Sequence, residues 1–437
     1  MKLLFITPYF FPARAYGGPI ASAGALCRGL AARGVDVRVL TSDADGLQRI
    51  RRQGPWKEVW PGVRVHYLRR FLFELWAPGQ AWQAIRGLLW ADVVYVWGAF
   101  FWALPLLCSI NLAMRRAVIV SPRGMLFDEA LSRKSLKKKL YLALIAPFGR
   151  PLFLIHATSG AEAIAIKARW PAAKITVIPN GVEVPEALPE REPNAAPYLL
   201  YLGRLHPYKQ VERIIEAFAR ASAGTATGSS RLTGAPVNAR SSVVGGQQAT
   251  ADGRRQTGAP VNARSSFVGG RSSVVTTNWF LLIAGDGEEK YKASLKKLTE
   301  DLGLTDAVRF VGHADGEEKA RLLANAQALI LASKSENFGM SVAEALAHGT
   351  PCVVTKTAPW EGLESESCGF WVNDSVEALA EGMNRLMTLS PEERRAMGAR
   401  GREWMKREFS WQGVAERMIS LYESLVEEKK MSVVGSR

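Results

Sequence analysis

Short, predominantly hydrophobic runs alternate along this chain with longer segments of helical pattern. The first run, Lys2–Thr7 (KLLFIT), is apolar on both faces, the pattern of a parallel strand buried from both sides. A loop over Pro8–Pro19 leads into a helix to about Arg33, Gly34 stops it, and Val35–Thr41 (VDVRVLT) reads as the second strand. This strand–helix–strand unit opens a doubly wound α/β domain. Val63–Leu68, Ala117–Val120 and Lys174–Pro179 extend its sheet, and His156–Ser159 ends a short strand and caps the helix bearing Glu162. A second series of strands begins at Tyr198–Leu202 and continues through Trp279–Ala284, Val308–Val311, Ala328–Leu331 and Cys352–Thr355. Helices are expected over Val211–Ala221, Lys290–Leu302 and Gln412–Glu428, with a further helical region opening at Glu392–Arg400. The expected fold class is therefore α/β, with two doubly wound, Rossmann-like domains.

Two segments interrupt the alternation. Val93–Met114 carries no charge and is long enough for a membrane span. Ser109 and Asn111 would be poor lipid neighbours, so it reads as a strand Val93–Trp97, a loop at Gly98 and a buried helix broken by Pro105. Residues 222–277 repeat the decamer TGAPVNARSS at 233–242 and 257–266 and are dominated by small and polar residues. They read as a low-complexity disordered insertion that is dispensable to the chemistry. The expected organisation is a first domain over 1–183, a second over 184–405 holding that insertion, and a terminal helix over 406–437.

Charge changes this picture more than composition does. Residues 1–185 hold 25 Lys and Arg against 10 Asp and Glu, a balance of +15, which equals the net charge of the whole chain. Such a surface suits anionic lipid, a phosphorylated acceptor or nucleic acid, although no nucleic-acid motif is visible and none is expected as a partner. The basic cluster Arg133, Lys134, Lys137, Lys138 and Lys139 abuts the apolar run Leu140–Ile145, a pattern shared by membrane-surface helices and by plainly solvated ones. The four cysteines form no C-x-x-C pair, and Lys2–Thr7 is already core-like, with no signal peptide before it. A cytoplasmic protein, peripheral on the inner face of the plasma membrane, is expected.

The candidate chemistry sits at strand ends. In Ser333–Val354 (SKSENFGMSVAEALAHGTPCVV), Glu336 and Glu344 stand eight residues apart, one in a loop and one along a helix. The amides of Gly339, Met340 and Ser341 form the helix N-terminus between them, a ready anion site. After Tyr198–Leu202, the run Gly203–Lys209 (GRLHPYK) places Arg204 and Lys209 before a helix, suited to a diphosphate. The pair Gly17-Gly18 follows the first strand, and Gly285 ends Trp279–Ala284. Arg123 follows the strand Ala117–Val120, either as a fixed cation toward an anionic ligand or as a loop residue in a surface pair.

Glu-x7-Glu embedded in S-E-N-F-G-M-S-x-x-E-A-L-A-x-G-T-P resembles the retaining, nucleotide-sugar-dependent GT-B glycosyltransferases of the group 1, glycogen-synthase-like family, cell-surface polysaccharide type. The resemblance covers nearly the whole chain except 222–277. It implies the GT-B fold, in which two Rossmann-like domains face across a cleft, acceptor on the first and donor on the second. Ile178–Val182 (IPNGV) would be the crossing point. The donor nucleoside diphosphate sugar would be held by Gly17, Gly18, Arg204, Lys209, Gly285, Asn337, Phe338, Gly339, Met340, Ser341 and Glu344. By the same resemblance Glu336 contacts the donor sugar, Glu344 the ribose, and Arg204 and Lys209 the pyrophosphate. Glu336, Arg204, Lys209 and Arg123 are the candidate catalytic residues. Many relatives have a His-Gly pair where Arg123 precedes Gly124, which removes any histidine-based role from that loop. No metal and no cofactor are expected, and the acceptor would be a lipid-linked or other glycan. A nucleotide-sugar epimerase of the same fold and a non-catalytic nucleotide or sugar binder are the alternatives. Trp360–Leu363 and Cys368–Trp371 are expected to shape the sugar pocket.

Overall fold

A computed structural model describes residues 1–13, 18–46, 48–51, 55–70, 79–100, 104–114, 116–132, 135–145, 153–192, 196–228 and 278–434. The first ten strands are β1 (Lys2–Ile6), β2 (Asp36–Ser42), β3 (Ala44–Asp45), β4 (Gln48–Arg49), β5 (Lys57–Trp60), β6 (Val63–Leu68), β7 (Val93–Trp97), β8 (Ala117–Ser121), β9 (Phe153–Ala157) and β10 (Ile175–Val177). Among the described residues, eight of them form one sheet in the order β10-β9-β8-β7-β1-β2-β6-β5, and β3 and β4 make a separate hairpin. Every pair in that sheet is parallel except the edge strand β5, which runs antiparallel to β6. Every residue of β7 and β8 is buried, because helices cover both faces.

The second sheet comprises β11 (Tyr198–Leu202), β12 (Phe280–Ala284), β13 (Val308–Gly312), β14 (Ala328–Leu331), β15 (Cys352–Thr355) and β16 (Gly369–Val372), all parallel, in the order β13-β12-β11-β14-β15-β16. Strand order reverses between β1 and β7 in the first sheet and between β11 and β14 in the second. Loops leaving neighbouring strands on opposite faces there open a crevice at the strands' carboxyl ends. The sequence candidates at Gly18, Arg204, Lys209 and Glu336 all follow strands at these two reversals.

Several expectations need correction. The uncharged stretch 93–114 holds the expected strand and helix, as β7 and Leu104–Met114, and among the described residues no helix is long and apolar enough to cross a membrane; what needs correcting is the place of its proline. Pro105 sits in the first turn of that helix, where its missing N–H costs nothing, so it starts the helix rather than breaking it. Asn111, the polar residue in this run, is buried because its side-chain amide accepts from Arg116 N–H (2.8 Å) and donates to Arg116 carbonyl (3.1 Å). The helix after β11 runs Val211–Gly228, so Ser222–Gly228 belong to it and not to an insertion, and Ser222 is fully buried. The repeats at 233–242 and 257–266 lie outside the described residues. Strand β5, the β3–β4 hairpin and the helix Gly79–Trp90 had no counterpart in the sequence reading.

The chain returns to the first sheet at its end. Val182 N–H donates to Phe409 carbonyl (2.7 Å), the Trp411 ring lies against Gly181, and the helix Trp411–Val434 packs on the helix Gly18–Ala31. Val414, Ala415, Met418 and Tyr422 are buried in one hydrophobic cluster with Phe5, Leu26, Leu30 and Tyr95. Ion pairs Arg33–Glu416 (2.7 Å) and Lys174–Glu428 (2.9 Å) flank this seam. Because Met418 is fully buried there, Met418→Ala is expected to cost about 2–5 kcal/mol. Denaturant titration checks it, and a loss below about 0.5 kcal/mol would show the helix to be an attachment rather than core.

Candidate functional site

The second-domain loops are laced together before any ligand is considered. The chain leaves β11 at Gly203, whose N–H donates to Ala284 carbonyl (3.0 Å), and Leu205 N–H donates to Asp286 carbonyl (2.8 Å). This close approach requires Gly285: a Cβ there would lie 1.8 Å from the Gly203 carbonyl oxygen, and its φ is +153°. A 3-10 turn Pro207–Lys209 follows, capped by His206, whose Nδ1 accepts from Tyr208 N–H (3.1 Å). Tyr208 carbonyl then accepts from Lys334 N–H (3.0 Å), joining this turn to the loop after β14.

On that loop the Glu336 carboxylate accepts from Lys209 Nζ and from Ser333 Oγ (2.7 Å). Glu336 N–H donates to Thr357 carbonyl (3.1 Å), and Thr357 Oγ1 donates to Ser333 carbonyl (2.5 Å), so the loop after β15 braces it. Gly339, at φ +84°, turns the chain into the helix Met340–Ala347. The amides of Gly339, Met340 and Ser341 precede its first intrahelical bond, leaving donors at a positive helix terminus. The Phe338 side chain is buried beside Trp360 and Phe409, so its backbone is what it offers a ligand. Trp360 is also core, donating from Nε1 to the Phe338 carbonyl and standing edge-on to Trp404, with Leu363 and Cys368 buried nearby. These residues support the Gly339 turn from beneath instead of lining a pocket.

Glu344 lies along the helix and pairs with Lys319 Nζ (3.0 Å) from the helix Gly316–Asn325. Each glutamate of the motif thus has its own lysine, and both pairs are partly shielded from water. Arg204 is exposed and has no ion pair among the described residues. An exposed guanidinium at the carboxyl end of a strand is suited to an anion. Glu344, Lys319, Met340 and His348 line one side of an interdomain cleft of about 680 Å³, opposite Gly18, Ser22, Arg28 and Trp60 of the first domain. Gly17 lies outside the described residues.

Arg123 is no surface residue. It is half-buried, holds φ +56°, stacks 3.6 Å over the Trp97 ring, and donates to Tyr95 hydroxyl (2.8 Å) and to Asn180 Oδ1. A left-handed arginine is strained, and three fixed partners keep it there. His156 Nε2 must donate to Ile178, whose carbonyl (2.7 Å) can only accept, so the Tyr95 hydroxyl donates a hydrogen bond to His156 Nδ1 (2.6 Å). Nearby, Glu162 is buried and accepts from Gly124 N–H (2.5 Å), Thr158 N–H (2.7 Å) and Thr158 Oγ1 (2.8 Å). Asn337 Nδ2, from the second domain, reaches Thr158 Oγ1 (2.7 Å). Sequence reasoning missed Tyr95, Thr158 and Lys319 as neighbours of the site, since each joins it through contacts remote in sequence.

Of the basic cluster, Arg133 and Lys134 lie outside the described residues. Lys137 and Lys139 lie on the helix Ser135–Ile145, and Lys139 is exposed. Lys138 turns inward, donating to Ala130 carbonyl and lying 5.7 Å from the Phe100 ring, which removes it from any outward-facing contact.

Comparison with known proteins agrees with this geometry. Residues 272–404 match the family model "Glycosyl transferases group 1" and residues 16–185 match "Glycosyltransferase Family 4". The MMP alpha-(1->4)-mannosyltransferase of Mycolicibacterium hassiacum is 33% identical over 134 residues, 30% of this chain and 32% of that protein. The D-inositol 3-phosphate glycosyltransferase of Corynebacterium urealyticum is 31% identical over 144 residues, 32% of this chain and 33% of that one. The matched segment thus spans about a third of the length of these relatives. Sucrose-phosphate synthase from Thermosynechococcus elongatus shares the fold, with a TM-score of 0.69 at 19% identity over 98% of this chain and 100% of that one. HepE of Anabaena, solved with UDP and glucose, gives a TM-score of 0.66 at 17% identity over 97% of this chain and 100% of its own.

The buried histidine yields a stability prediction. Burial, with the Arg123 charge beside it, pushes His156 from 6.5 down to about 3, so the folded ring is neutral. A depressed folded value means the contribution is full above the unfolded pKa and is lost as pH falls toward the folded one, because the unfolded chain takes up the proton first. Stability should therefore fall more steeply between about pH 6.5 and pH 4 in the wild type than in His156→Gln. Urea titrations across that window check this, and parallel slopes would contradict it.

Proposed function

We propose that this chain is a glycosyltransferase of the group 1, GT-B type, as the family matches over residues 272–404 and 16–185 support, and that it moves a glycosyl unit from a nucleoside diphosphate sugar to an acceptor with retention at the anomeric carbon. The observation that carries the reading is the Lys209–Glu336 pair at the β11/β14 reversal, which joins the loop bearing Arg204 to the loop that runs into the Gly339–Ser341 amides. A diphosphate at that point meets one unpaired guanidinium, one ammonium and a helix N-terminus. Those are the groups needed to stabilise charge developing on a leaving phosphate, with no metal in the role. The UDP-glucose complex of HepE supports the donor class.

Ligand entry on this reading is an exchange of partners. Lys209 leaves Glu336 for the diphosphate, which frees the Glu336 carboxylate to accept from donor sugar hydroxyls. Lys319 likewise yields Glu344 to the ribose hydroxyls. The anomeric carbon–oxygen bond to phosphate breaks as the bond to the acceptor oxygen forms on the same face, and the acceptor proton passes to the departing phosphate oxygen. No protein nucleophile is needed for that balance.

The acceptor is proposed to be lipid-linked, as in exopolysaccharide or O-antigen assembly, with the first domain resting on the cytoplasmic face of an anionic membrane. On the helix Ser135–Ile145, Leu136 and Leu140 are 80% and 73% exposed, one turn apart. Trp82 and Leu89 are exposed on the helix Gly79–Trp90, and both helices pack over one hydrophobic cluster with the helix Leu104–Met114. Apolar side chains among lysines support surface docking rather than insertion, each nearby Lys or Arg adding about 1 kcal/mol at an anionic surface.

A donor screen scored by nucleoside diphosphate release tests the activity. Arg204→Ala and Lys209→Ala should each weaken nucleoside diphosphate binding roughly tenfold or more while leaving the fold intact. Unchanged affinity in both would remove the diphosphate site. Glu344→Ala should chiefly weaken nucleoside binding, and Glu336→Ala should chiefly slow turnover. For the membrane surface, Leu136→Glu with Leu140→Glu should release the protein from anionic vesicles and slow transfer to a lipid acceptor, with donor hydrolysis retained. Failure of the wild type to bind such vesicles at low salt refutes the docking.

A further inference from the structure

Between the domains, a chain of neutral donors ends on a carboxylate cut off from water. Glu162 is 1% exposed, and the three donors that satisfy it are the Gly124 and Thr158 backbone amides and the Thr158 hydroxyl. A carboxylate can only accept, so the one proton of Thr158 Oγ1 is committed to Glu162, and Oγ1 faces Asn337 as an acceptor. That fixes the orientation of the Asn337 amide: its Nδ2, and not its Oδ1, meets Thr158 at 2.7 Å. Asn337 Oδ1 is buried with no partner among the described residues. A flipped amide would place two acceptors against each other.

Asn337 immediately follows Glu336, so whatever holds its side chain also sets the loop carrying that carboxylate. The fit is close: at Gly124, φ is +78°, and a Cβ would lie 2.9 Å from Asn337 Cβ. The loop touches the first domain again where Ser22 Oγ lies 3.8 Å from Met340 Sδ. Glu162 therefore organises two first-domain segments, the Arg123-Gly124 turn and the Thr158 strand end, and Thr158 presents both to the Glu336 loop.

We propose that Thr158 and Glu162 are positioning residues that clasp the Glu336-bearing loop of the second domain to the first, through Asn337, and set the closed geometry in which transfer occurs. The inference rests on the transferase reading above for its turnover readout but not for its structural one. Arg204, Lys209 and the Gly339–Ser341 amides lie on the second domain, so the clasp acts on turnover and closure and leaves diphosphate binding to them.

Thr158→Val keeps the side-chain volume and removes the hydroxyl. It should lower kcat for transfer about tenfold or more, with nucleoside diphosphate affinity changed less than about threefold. Thr158→Ser should restore kcat. Asn337→Ala should lower kcat similarly, and the double variant Thr158→Val/Asn337→Ala should be no slower than the worse single, because both break one link. By small-angle scattering, Thr158→Val should show a larger radius of gyration than the wild type in the presence of nucleoside diphosphate. Wild-type kcat in Thr158→Val, parallel loss of kcat and nucleotide affinity, or multiplying effects in the double variant would each overturn the clasp. A wild type that releases no nucleoside diphosphate from any donor sinks the transferase reading instead, and the scattering comparison then decides the clasp by itself.

Discussion

The ion pair between Lys209 and Glu336 is the interaction on which the arrangement of the second domain turns. It joins the loop after β11 to the loop after β14, across the one place in that sheet where neighbouring connections leave on opposite faces. Holding two partly shielded charges together is favourable only where geometry and further hydrogen bonds offset their lost hydration. The structure supplies these in layers. Ser333 donates to the same carboxylate, Thr357 fixes the loop on its far side, and the Gly285 approach holds the β11 exit in place. Removing any layer loosens the pair, which is why so much of the domain's special backbone, including Gly339 and the left-handed Gln210, lies within this region.

The parts of this molecule legible in the sequence were those encoded over short spans. Parallel strands buried on both faces read directly as apolar runs, and β1, β7, β8, β11 and β14 were found to within a residue or so. The 333–354 motif was legible because its turn, helix and strand follow one another without interruption. Edge elements were not. β5 is half exposed and antiparallel, and the helix Gly79–Trp90 follows an aromatic stretch without a clear start signal. Trp360 was misjudged for another reason. A motif locates an aromatic residue but not which way it points, and here the aromatic side chains pack downward into one cluster with Trp404 and Phe409, which lie far along the chain.

First-domain chemistry was the least legible. Arg123 stood out only as a departure from a pattern, and its sequence neighbours say nothing of Tyr95, His156 or Asn180. These residues come from three separate strand ends and meet only once the sheet is formed. The same holds for Glu162, which in sequence looks like an ordinary first-turn acid of a helix capped by Ser159. Its burial converts a routine helix-dipole interaction into the anchor of two loops.

The two faces of the cleft differ in electrostatic kind, and the difference has a physical logic on the transferase reading. On the second domain the polar groups are full charges in exchangeable pairs, Lys209 with Glu336 and Lys319 with Glu344, each partly open to water. Such pairs can trade partners with an incoming diphosphate and its hydroxyls at modest cost, because water remains at hand to solvate the intermediates of the exchange. On the first domain the network is buried and mostly neutral, with His156 uncharged between Tyr95 and Ile178 and Glu162 met by amides and a hydroxyl. A network of that kind cannot exchange partners without exposing unpaired groups to a low-dielectric interior, so it is rigid. A donor that arrives and departs each cycle belongs on the exchangeable side. The surface that must hold reacting atoms in line belongs on the rigid one, and Asn337 is where the structure joins the two.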